Sequence, residues 1–381
     1  MASRSDDPKP SPKGRKVRVP FKQNREQRRR VSDWTQKARD SDNYDLDTDR
    51  TENVVAKGRL SRQRTIIVRE DELRPEEMRG GTVVAMRGLY ADVFDGKEII
   101  PCTVRRILRT RLIGGRHPVA IGDHVRFRIE VRKTGAPPEG VIEEVEPRKG
   151  ELRRVSGKRV HTIVANVDQA IIVTSAREPT PKPHLIDRYI VAAHHGDITP
   201  VICMNKIDLA EDELPRSILA RYTRLGYTTL ATSIVTGDGI AELRALLKDK
   251  ESVVAGQSGV GKSSLLNDVQ PGLDLKTAAV MVQKEKGRHT TTTATLIRLE
   301  QGGFVVDTPG IRAFDLSVVP RNEFEAYFID FAPFVPHCKF PDCTHSHESE
   351  CAVKDAVVRG DIDPERYESY LHMYEDPGAP V

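Results

Sequence analysis

The sequence predicts a multidomain protein: a small N-terminal β-barrel, a central α/β unit and a C-terminal, mostly helical part. Three observations predict this order. Short β-rich runs separated by glycine-containing turns fill residues 82–145. Buried strand patterns alternate with helical patterns over residues 166–306, and cysteines cluster with histidines near residue 345. A chain of 381 residues with 38% hydrophobic residues is long enough for two to three domains.

A basic leader, residues 1–77, precedes these parts. Residues 9–30 carry ten Lys or Arg side chains against a single acid, Glu26. The leader is poor in aromatic residues, and this composition cannot bury enough apolar surface to offset chain entropy. We therefore expect disorder over residues 1–77. A basic tail of this kind also suits contact with nucleic-acid phosphates.

The barrel is predicted over residues 78–150. Its strands are predicted at 82–86, 90–94, 99–104, 124–129 and 140–145. The runs are rich in β-branched residues, and turn sequences such as Asp95-Gly96 and Gly114-Gly115 favour hairpins between them. Five strands suit an OB-fold, whose exposed face commonly binds RNA. Arginines interleave with these strands, and the alternative is a barrel with a merely solvated basic surface.

The α/β domain is predicted over residues 151–314. Buried parallel strands are predicted at 170–174, 200–204, 228–231, 252–255 and 304–306. Helices are predicted at 185–195, 215–225, 240–248 and 262–268. A mostly parallel sheet of this kind binds ligands where its strands end.

A phosphate-binding loop follows the strand at 252–255. The chain there reads G-x-x-x-x-G-K-S and leads into a helix, so backbone N–H groups and the helix N-terminus face a triphosphate. Lys262 is expected to neutralise β- and γ-phosphate oxygens, and Ser263 to offer its hydroxyl to Mg²⁺. The residues predicted to bind nucleotide here are Gly256, Gln257, Ser258, Gly259, Val260, Gly261, Lys262, Ser263 and Ser264.

A guanine-reading motif follows the strand at 200–204. It is Asn205-Lys206-Ile207-Asp208. A carboxylate at Asp208 accepts hydrogen bonds from N1–H and the exocyclic amine of guanine, and adenine lacks this donor pair. Asn205 is expected to brace neighbouring loops, and Lys206 to lie along the base. After the next strand, Thr232-Ser233-Ile234 places a backbone N–H of Ser233 within reach of guanine O6, although Ile234 stands where alanine is usual.

The γ-phosphate end of the site is predicted from two further segments. Asp307-Thr308-Pro309-Gly310 follows the strand at 304–306, where Asp307 can hold a Mg²⁺-bound water and Gly310 can donate to the γ-phosphate. Residues 287–293 contain the Mg²⁺-binding threonine, with Thr290 the first choice among residues 290–293. Ile311 occupies the place of a water-orienting glutamine, so unassisted hydrolysis should be slow. His289 is the nearest alternative catalytic group.

The order of these motifs is reversed. In ordinary GTPases the phosphate loop precedes Asn-Lys-x-Asp, whereas here residues 205–208 precede residues 256–263. A parallel sheet depends on spatial neighbours rather than chain order. The sequence therefore predicts a circularly permuted P-loop GTPase domain.

A metal site is predicted in the C-terminal domain, residues 315–376. Cys338, Cys343, His345 and Cys351 offer three thiolates and one imidazole, a set suited to one structural, tetrahedral Zn²⁺. His337 and His347 compete with His345 for the histidine position. The five cysteines otherwise fit a reducing compartment.

These motifs together resemble the RsgA (YjeQ) family over residues 80–374. The resemblance implies an OB-fold, a permuted GTPase and a zinc domain with Cys338, Cys343, His345 and Cys351 as ligands. It also implies binding to the 30S ribosomal subunit and its 16S rRNA, and GTP hydrolysis that the subunit stimulates. His289 is implied as a catalytic residue. Glu348-Ser349-Glu350 departs from the family's usual step before the last cysteine, and the leader is long.

We expect a monomeric cytoplasmic GTPase that acts in late maturation of the small subunit and is released after hydrolysis. The chain contains no apolar run that suits a membrane span or secretory signal. Two alternatives stay open: a permuted GTPase that acts on the large subunit, and an RNA-binding scaffold in which the nucleotide is structural.

Overall fold

The computed structural model describes eleven segments of the chain. These are residues 15–20, 52–55, 63–68, 78–88, 90–105, 108, 118–130, 139–156, 159–271, 295–307 and 316–376. The elements in these segments are numbered here in chain order as β1–β16 and α1–α6. In the described parts of the chain, none of the helices has the length and apolar content needed to cross a membrane.

The leader contributes three strands to the described residues. They are β1 (Arg15–Pro20), β2 (Glu52–Val55) and β3 (Gln63–Val68), which pair antiparallel with β3 in the middle. These three segments therefore form strands, and the disorder expected over the rest of residues 1–77 stays a prediction. The three segments are rich in Val and Ile, whose branched side chains favour extended backbone even within a charged sequence.

Five strands close into the N-terminal barrel. They are β4 (Arg79–Arg87), β5 (Tyr90–Phe94), β6 (Ile99–Val104), β7 (His124–Glu130) and β8 (Glu139–Val145). Their order is β4-β5-β6-β8-β7, and the pairing of β4 with β7 closes the ring. Among the described pairings of these five strands, only β6–β8 is parallel. The expected five-stranded, OB-like barrel is confirmed.

The barrel interior requires glycine at two close approaches. A Cβ added to Gly81 would lie 2.5 Å from Cγ1 of Val93, and one added to Gly140 would lie 2.4 Å from Sγ of Cys102. Val93 and Cys102 are fully buried in the barrel core together with Phe127. A larger residue at either glycine would displace core side chains in a tightly packed interior.

A hairpin that the sequence pattern did not reveal connects the barrel to the α/β part. It consists of β9 (Glu151–Ser156) and β10 (Arg159–Ala165). The side chain of Arg148 donates to the buried carboxylate of Asp123 at 2.7 and 2.9 Å and to Oγ1 of Thr162 in β10 at 3.2 Å. These bonds fix the barrel against the hairpin.

The central sheet is formed by β11 (Gln169–Ser175), β12 (Thr199–Asn205), β13 (Thr228–Ala231), β14 (Glu251–Ala255), β15 (Thr295–Arg298) and β16 (Phe304–Asp307). The order is β13-β12-β11-β14-β16-β15, and every pair except β15–β16 is parallel. All five predicted strands are present. β15 is an additional antiparallel strand, and it continues the sheet into β4 of the barrel.

Four helices accompany this sheet at the positions predicted from the sequence. They are α1 (Pro183–His195), α2 (Leu214–Arg224), α3 (Ile240–Leu247) and α4 (Lys262–Val269). In α1 the residues from Leu185 to Ala193 are all buried. This helix therefore has a second packing partner besides the sheet.

That partner is the C-terminal part. Short 3₁₀ segments at 316–318, 321–327 and 335–337 lead to α5 (Ala352–Arg359) and α6 (Pro364–Glu375). One apolar core runs from the central sheet through α1 to Phe328, Phe331 and Tyr370. This core therefore includes described residues from both sides of the predicted division at residue 314, and the division itself stays a prediction.

A buried arginine joins α6 to α1. Arg366 is 1% exposed, and its guanidinium donates to Oδ1 of Asp187 in α1 and, at 2.7 Å, to Oδ1 of Asp330. The guanidinium also lies over the ring of Phe328, 4.5 Å from its centroid. Tyr222 of α2 donates to the same Asp187 oxygen at 2.7 Å. These bonds compensate the cost of burying the charge and fix α6 on the α/β part.

Candidate nucleotide and metal sites

The predicted nucleotide motifs meet at one edge of the central sheet. β12 and β13 are adjacent, β14 lies next to β11, and β16 lies next to β14, all parallel. Their carboxyl ends therefore share one edge, where ligands of such sheets bind. Asn205 is the last residue of β12, and residues 206–208, 232–233 and 256–261 follow these strands directly.

The phosphate loop adopts a backbone that only glycine permits. Gly256 has φ of 142°, and a Cβ there would lie 2.1 Å from the carbonyl oxygen of Val173. Gly261 has φ of 94°, and a Cβ there would lie 2.4 Å from Nδ2 of Asn205. The loop thus turns tightly from β14 into α4 while neighbouring strands close in around it.

Lys262 is the first residue of α4, and its side chain turns back over the loop. Its ammonium donates to the carbonyl oxygens of Gly256 at 2.9 Å and Gln257 at 2.6 Å. Partial burial lowers the pKa of Lys262. The structure thus places a half-buried cation inside the phosphate loop, where an anionic group gains most from it.

Asn205 connects the two motifs. The side chain is 1% exposed, its Nδ2 donates to the carbonyl oxygen of Val260 at 2.8 Å, and its Oδ1 accepts from Oγ1 of Thr232 at 3.1 Å. One amide group therefore ties together the phosphate loop, the guanine-reading motif and the loop after β13.

The rest of the guanine-reading motif lies beside this amide. Lys206 has a left-handed backbone with φ of 56°, and its ammonium donates to the carbonyl oxygen of Glu178. Asp208 lies in the short 3₁₀ segment Ile207–Leu209 and is exposed. Ser233 is buried, and its Oγ accepts from the backbone N–H groups of residues 235 and 236 at 3.1 and 3.2 Å. These bonds shape the loop that follows β13.

Ser175 is a structural neighbour of this site that no sequence pattern indicates. Ser175, the last residue of β11, is fully buried, and its hydroxyl donates to the carbonyl oxygen of Pro179 at 2.6 Å. A single serine at the end of a strand does not form a recognisable sequence motif. Its position opposite Asn205 in the parallel pairing becomes apparent only in the folded sheet.

The structure brings together part of the predicted site. Ser263 and Ser264 lie half-buried in the first turn of α4, and Ser258 and Gly259 are exposed at the tip of the loop. Asp307 is the last residue of β16. His289, Thr290 with the threonines at 291–293, and Gly310 lie outside the described residues, so their predicted roles stay predictions.

Three cysteines and one histidine form the candidate metal site. The ligand atoms of Cys338, Cys343, His345 and Cys351 all lie within 4.8 Å of one another. Nδ1 of His345 is 3.3 Å from Sγ of Cys351 and 3.5 Å from Sγ of Cys338. Three thiols and an imidazole at these separations could hold a tetrahedral Zn²⁺.

The structure distinguishes the three histidines that compete for this site. His345 is fully buried in the cluster, whereas His337 and His347 are exposed and lie outside it. Nε2 of His345 lies 2.8 Å from Oε2 of Glu325, which fixes the ring with Nδ1 facing the thiols. Glu325 lies twenty residues away in the chain, and no local sequence pattern marks it as a partner of His345.

Helix α6 holds the backbone of the segment 338–351, which contains the four candidate ligands and is called the metal loop below. The hydroxyl of Tyr367 donates to the carbonyl oxygen of His345 at 2.6 Å, and that of Tyr370 donates to the carbonyl oxygen of Thr344 at 2.9 Å. Burial raises the pKa of the Cys343 thiol to about 12. A bound cation would reverse this preference, because it stabilises the thiolate directly.

Comparison with known proteins agrees with this geometry. A family model described as RsgA GTPase matches residues 145–317. The small ribosomal subunit biogenesis GTPase RsgA of Chromohalobacter salexigens is 42% identical over 271 residues, which cover 70% of this chain and 77% of the relative. The protein of the same name from Caldanaerobacter subterraneus is 39% identical, covering 79% of this chain and 96% of the relative.

A solved structure has the same architecture. The crystal structure of YjeQ from Thermotoga maritima matches with a TM-score of 0.64 and 37% sequence identity, covering 79% of this chain and 98% of that one. YloQ, described as a circularly permuted GTPase, matches with a TM-score of 0.60 and 31% identity. The order of motifs along this chain and their meeting at one sheet edge agree with that description. The chain therefore belongs to the RsgA family of circularly permuted GTPases.

Proposed function

We propose that this chain hydrolyses GTP to GDP and phosphate while it is bound to the small (30S) ribosomal subunit, during late maturation of that subunit. The observation that carries the proposal is the 2.8 Å hydrogen bond from Asn205 to Val260. It joins a guanine-reading motif to a phosphate loop in one site. Relatives named small ribosomal subunit biogenesis GTPase support the choice of the small subunit.

The roles proposed within the site follow from its chemistry. Residues 256–264 hold the phosphates, with Lys262 placing positive charge against them. Asn205, Lys206, Ile207, Asp208 and Ser233 bind the guanine. Mg²⁺ is proposed to bind Ser263 and Thr290, beside Asp307 and Gly310 at the γ-phosphate. His289 is the proposed catalytic group. Phosphoryl transfer needs charge stabilisation and positioning more than covalent chemistry. This set contains the types of residue that the reaction needs.

The flanking parts are proposed to bind the subunit. The exposed side chains of Arg126 on β7 and Arg154 on the hairpin present positive charge, which suits contact with 16S rRNA phosphates. The proposed boundaries are a leader at 1–77, the barrel at 78–150, the GTPase domain at 151–314 and the zinc domain at 315–376. We further propose a cytoplasmic monomer.

One structural Zn²⁺ is proposed at Cys338, Cys343, His345 and Cys351. Four protein donors, three of them buried, would complete a tetrahedral shell and leave no ligand position for chemistry on a substrate. The proposed contribution of the Zn²⁺ is to stabilise the loop that α6 holds.

The proposal is tested by phosphate release from GTP in the presence of purified particles. Small subunits should stimulate turnover strongly, and large subunits or free rRNA should not. Stimulation by large subunits alone would contradict the assignment of the partner. Unchanged turnover with every particle, together with tight nucleotide binding, would instead indicate a scaffold with a structural nucleotide.

We expect Glu325→Gln to weaken zinc binding by about 10- to 100-fold, because the carboxylate fixes the ring of His345. The measurement is the rate at which a colorimetric chelator removes zinc from the purified protein. Glu323→Gln is the control, since Glu323 lies in the same 3₁₀ segment but accepts from Tyr327 at 3.2 Å. Equal release rates for the wild type and Glu325→Gln would exclude this role of Glu325.

A further inference from the structure

Ser175 is anchored beside the guanine-reading motif. Its Cα pairs with that of Asn205 across the parallel strands β11 and β12. The next backbone N–H, that of Ala176, donates to the carbonyl oxygen of Asn205 at 2.8 Å. Ser175 is fully buried and reaches no solvent, so its hydroxyl requires a protein partner.

The hydrogen bond of the Ser175 hydroxyl closes a short turn. The hydroxyl donates to the carbonyl oxygen of Pro179 at 2.6 Å and so fixes residues 176–179 against the end of β11. Within this turn, the carbonyl oxygen of Glu178 accepts a hydrogen bond from the ammonium of Lys206. Pro179 also lies near the phosphate loop, because a Cβ added to Gly259 would be 3.8 Å from its Cδ. The turn therefore lies between Lys206 and the tip of the phosphate loop.

The fixed carbonyl oxygen of Glu178 is important because the side chain of Lys206 would otherwise sample many rotamers. Lysine loses a large rotamer entropy when its four-carbon stem is held in one conformation. The hydrogen bond to Glu178 orders the stem of Lys206 before a base arrives, and such preorganisation raises affinity without a new contact to the ligand.

We propose that Ser175 is a positioning residue for guanine-nucleotide binding, which acts through the Glu178 carbonyl on Lys206. This inference rests on the proposed function of the site and adds to it a residue that does not touch the nucleotide. Its effect is expected on the binding of both GDP and GTP, because Lys206 is proposed to lie along the base that they share.

The test is the Kd of full-length Ser175→Ala for a fluorescent GDP. We expect Kd to rise about fivefold, the effect of one net hydrogen bond. KM for GTP should rise similarly, with kcat at saturating GTP and small subunits within about twofold of the wild type.

Ser252→Ala is the matched control. Ser252 is equally buried in the same sheet, at the opposite end of β14, where it accepts from Nε2 of Gln169 at 2.9 Å. Its Kd should not change.

A double-mutant cycle separates positioning from general destabilisation. Lys206→Met should weaken GDP binding by itself, and adding Ser175→Ala should then cause no further loss. Ser175→Cys, whose thiol is a weak donor in a similar volume, should give an intermediate Kd and provides the measurement where the alanine variant fails to fold.

Two results would overturn the inference: an unchanged Kd in Ser175→Ala, or fully additive losses in the Lys206→Met background. Both require a wild-type chain that binds GDP. A wild-type chain that binds no guanine nucleotide would contradict the proposed function instead, so the two failures are distinguishable.

Discussion

Lys262→Ala is expected to lower subunit-stimulated GTP turnover by about a hundred- to a thousandfold or more. Its ammonium is held within the loop by the carbonyl oxygens of Gly256 and Gln257. Charge develops on the phosphate oxygens during transfer, and a preorganised cation in a half-buried site stabilises it without reorganisation of solvent. The measurement is phosphate release at saturating GTP and saturating small subunits.

The control for this variant is Lys250→Ala. Lys250 is an exposed lysine just before β14 and lies outside the phosphate loop. Its loss removes the same charge from the protein and should leave turnover within about twofold of the wild type, as for ordinary surface substitutions. Turnover at the wild-type rate in Lys262→Ala would contradict the assignment of residues 256–264 as the phosphate site.

The second large effect is expected for Cys351→Ser. Cys351 is 1% exposed, belongs to the candidate metal cluster and precedes the first residue of α5. Structural zinc contributes a binding free energy of about 10 to 16 kcal/mol to small domains, and a hydroxyl is a poor substitute for a thiolate. We expect the variant to lose its zinc and the amides of residues 316–376 to lose protection from hydrogen exchange.

The loss of protection from hydrogen exchange should extend into the GTPase part. Tyr367 and Tyr370 of α6 hold the metal loop, and Arg366 of the same helix pairs with Asp187 in α1. Amides of α1 should therefore also exchange faster. Cys102→Ser is the matched control, because Cys102 is fully buried in the barrel and outside the cluster. One equivalent of zinc and unchanged exchange in Cys351→Ser would refute the proposed site.

Strong local patterns predicted most of the fold. The runs that became β11, β12, β14 and β16 are continuous and apolar, as strands covered on both faces must be. Two features between residues 151 and 307 escaped prediction. β15 is four residues long, and its antiparallel pairing with β16 places it at the edge that continues into β4. The β9–β10 hairpin mixes charged and apolar residues, so its strands have no clear pattern. Their pairing depends on neighbours that local sequence does not specify.

The leader shows that average composition can conceal short strands. Composition over residues 1–77 predicts disorder because average hydrophobicity is low and charge is high. Three short segments nevertheless pair as strands β1–β3. An average over a long window conceals short segments that contain β-branched residues, and a strand needs a length of only about five residues.

The sequence by itself determined the chemistry of both sites, because G-x-x-x-x-G-K-S, Asn-Lys-x-Asp and the cysteine cluster are local patterns whose residue types specify their ligands. Only the tertiary structure decided which distant groups complete them. It placed His345, and neither His337 nor His347, beside the three cysteines, placed Glu325 behind the ring of His345, and set Ser175 beside Asn205. The physical reason is that hydrogen bonds and metal coordination depend on separations of a few ångströms, and chain spacing fixes such separations only between near neighbours.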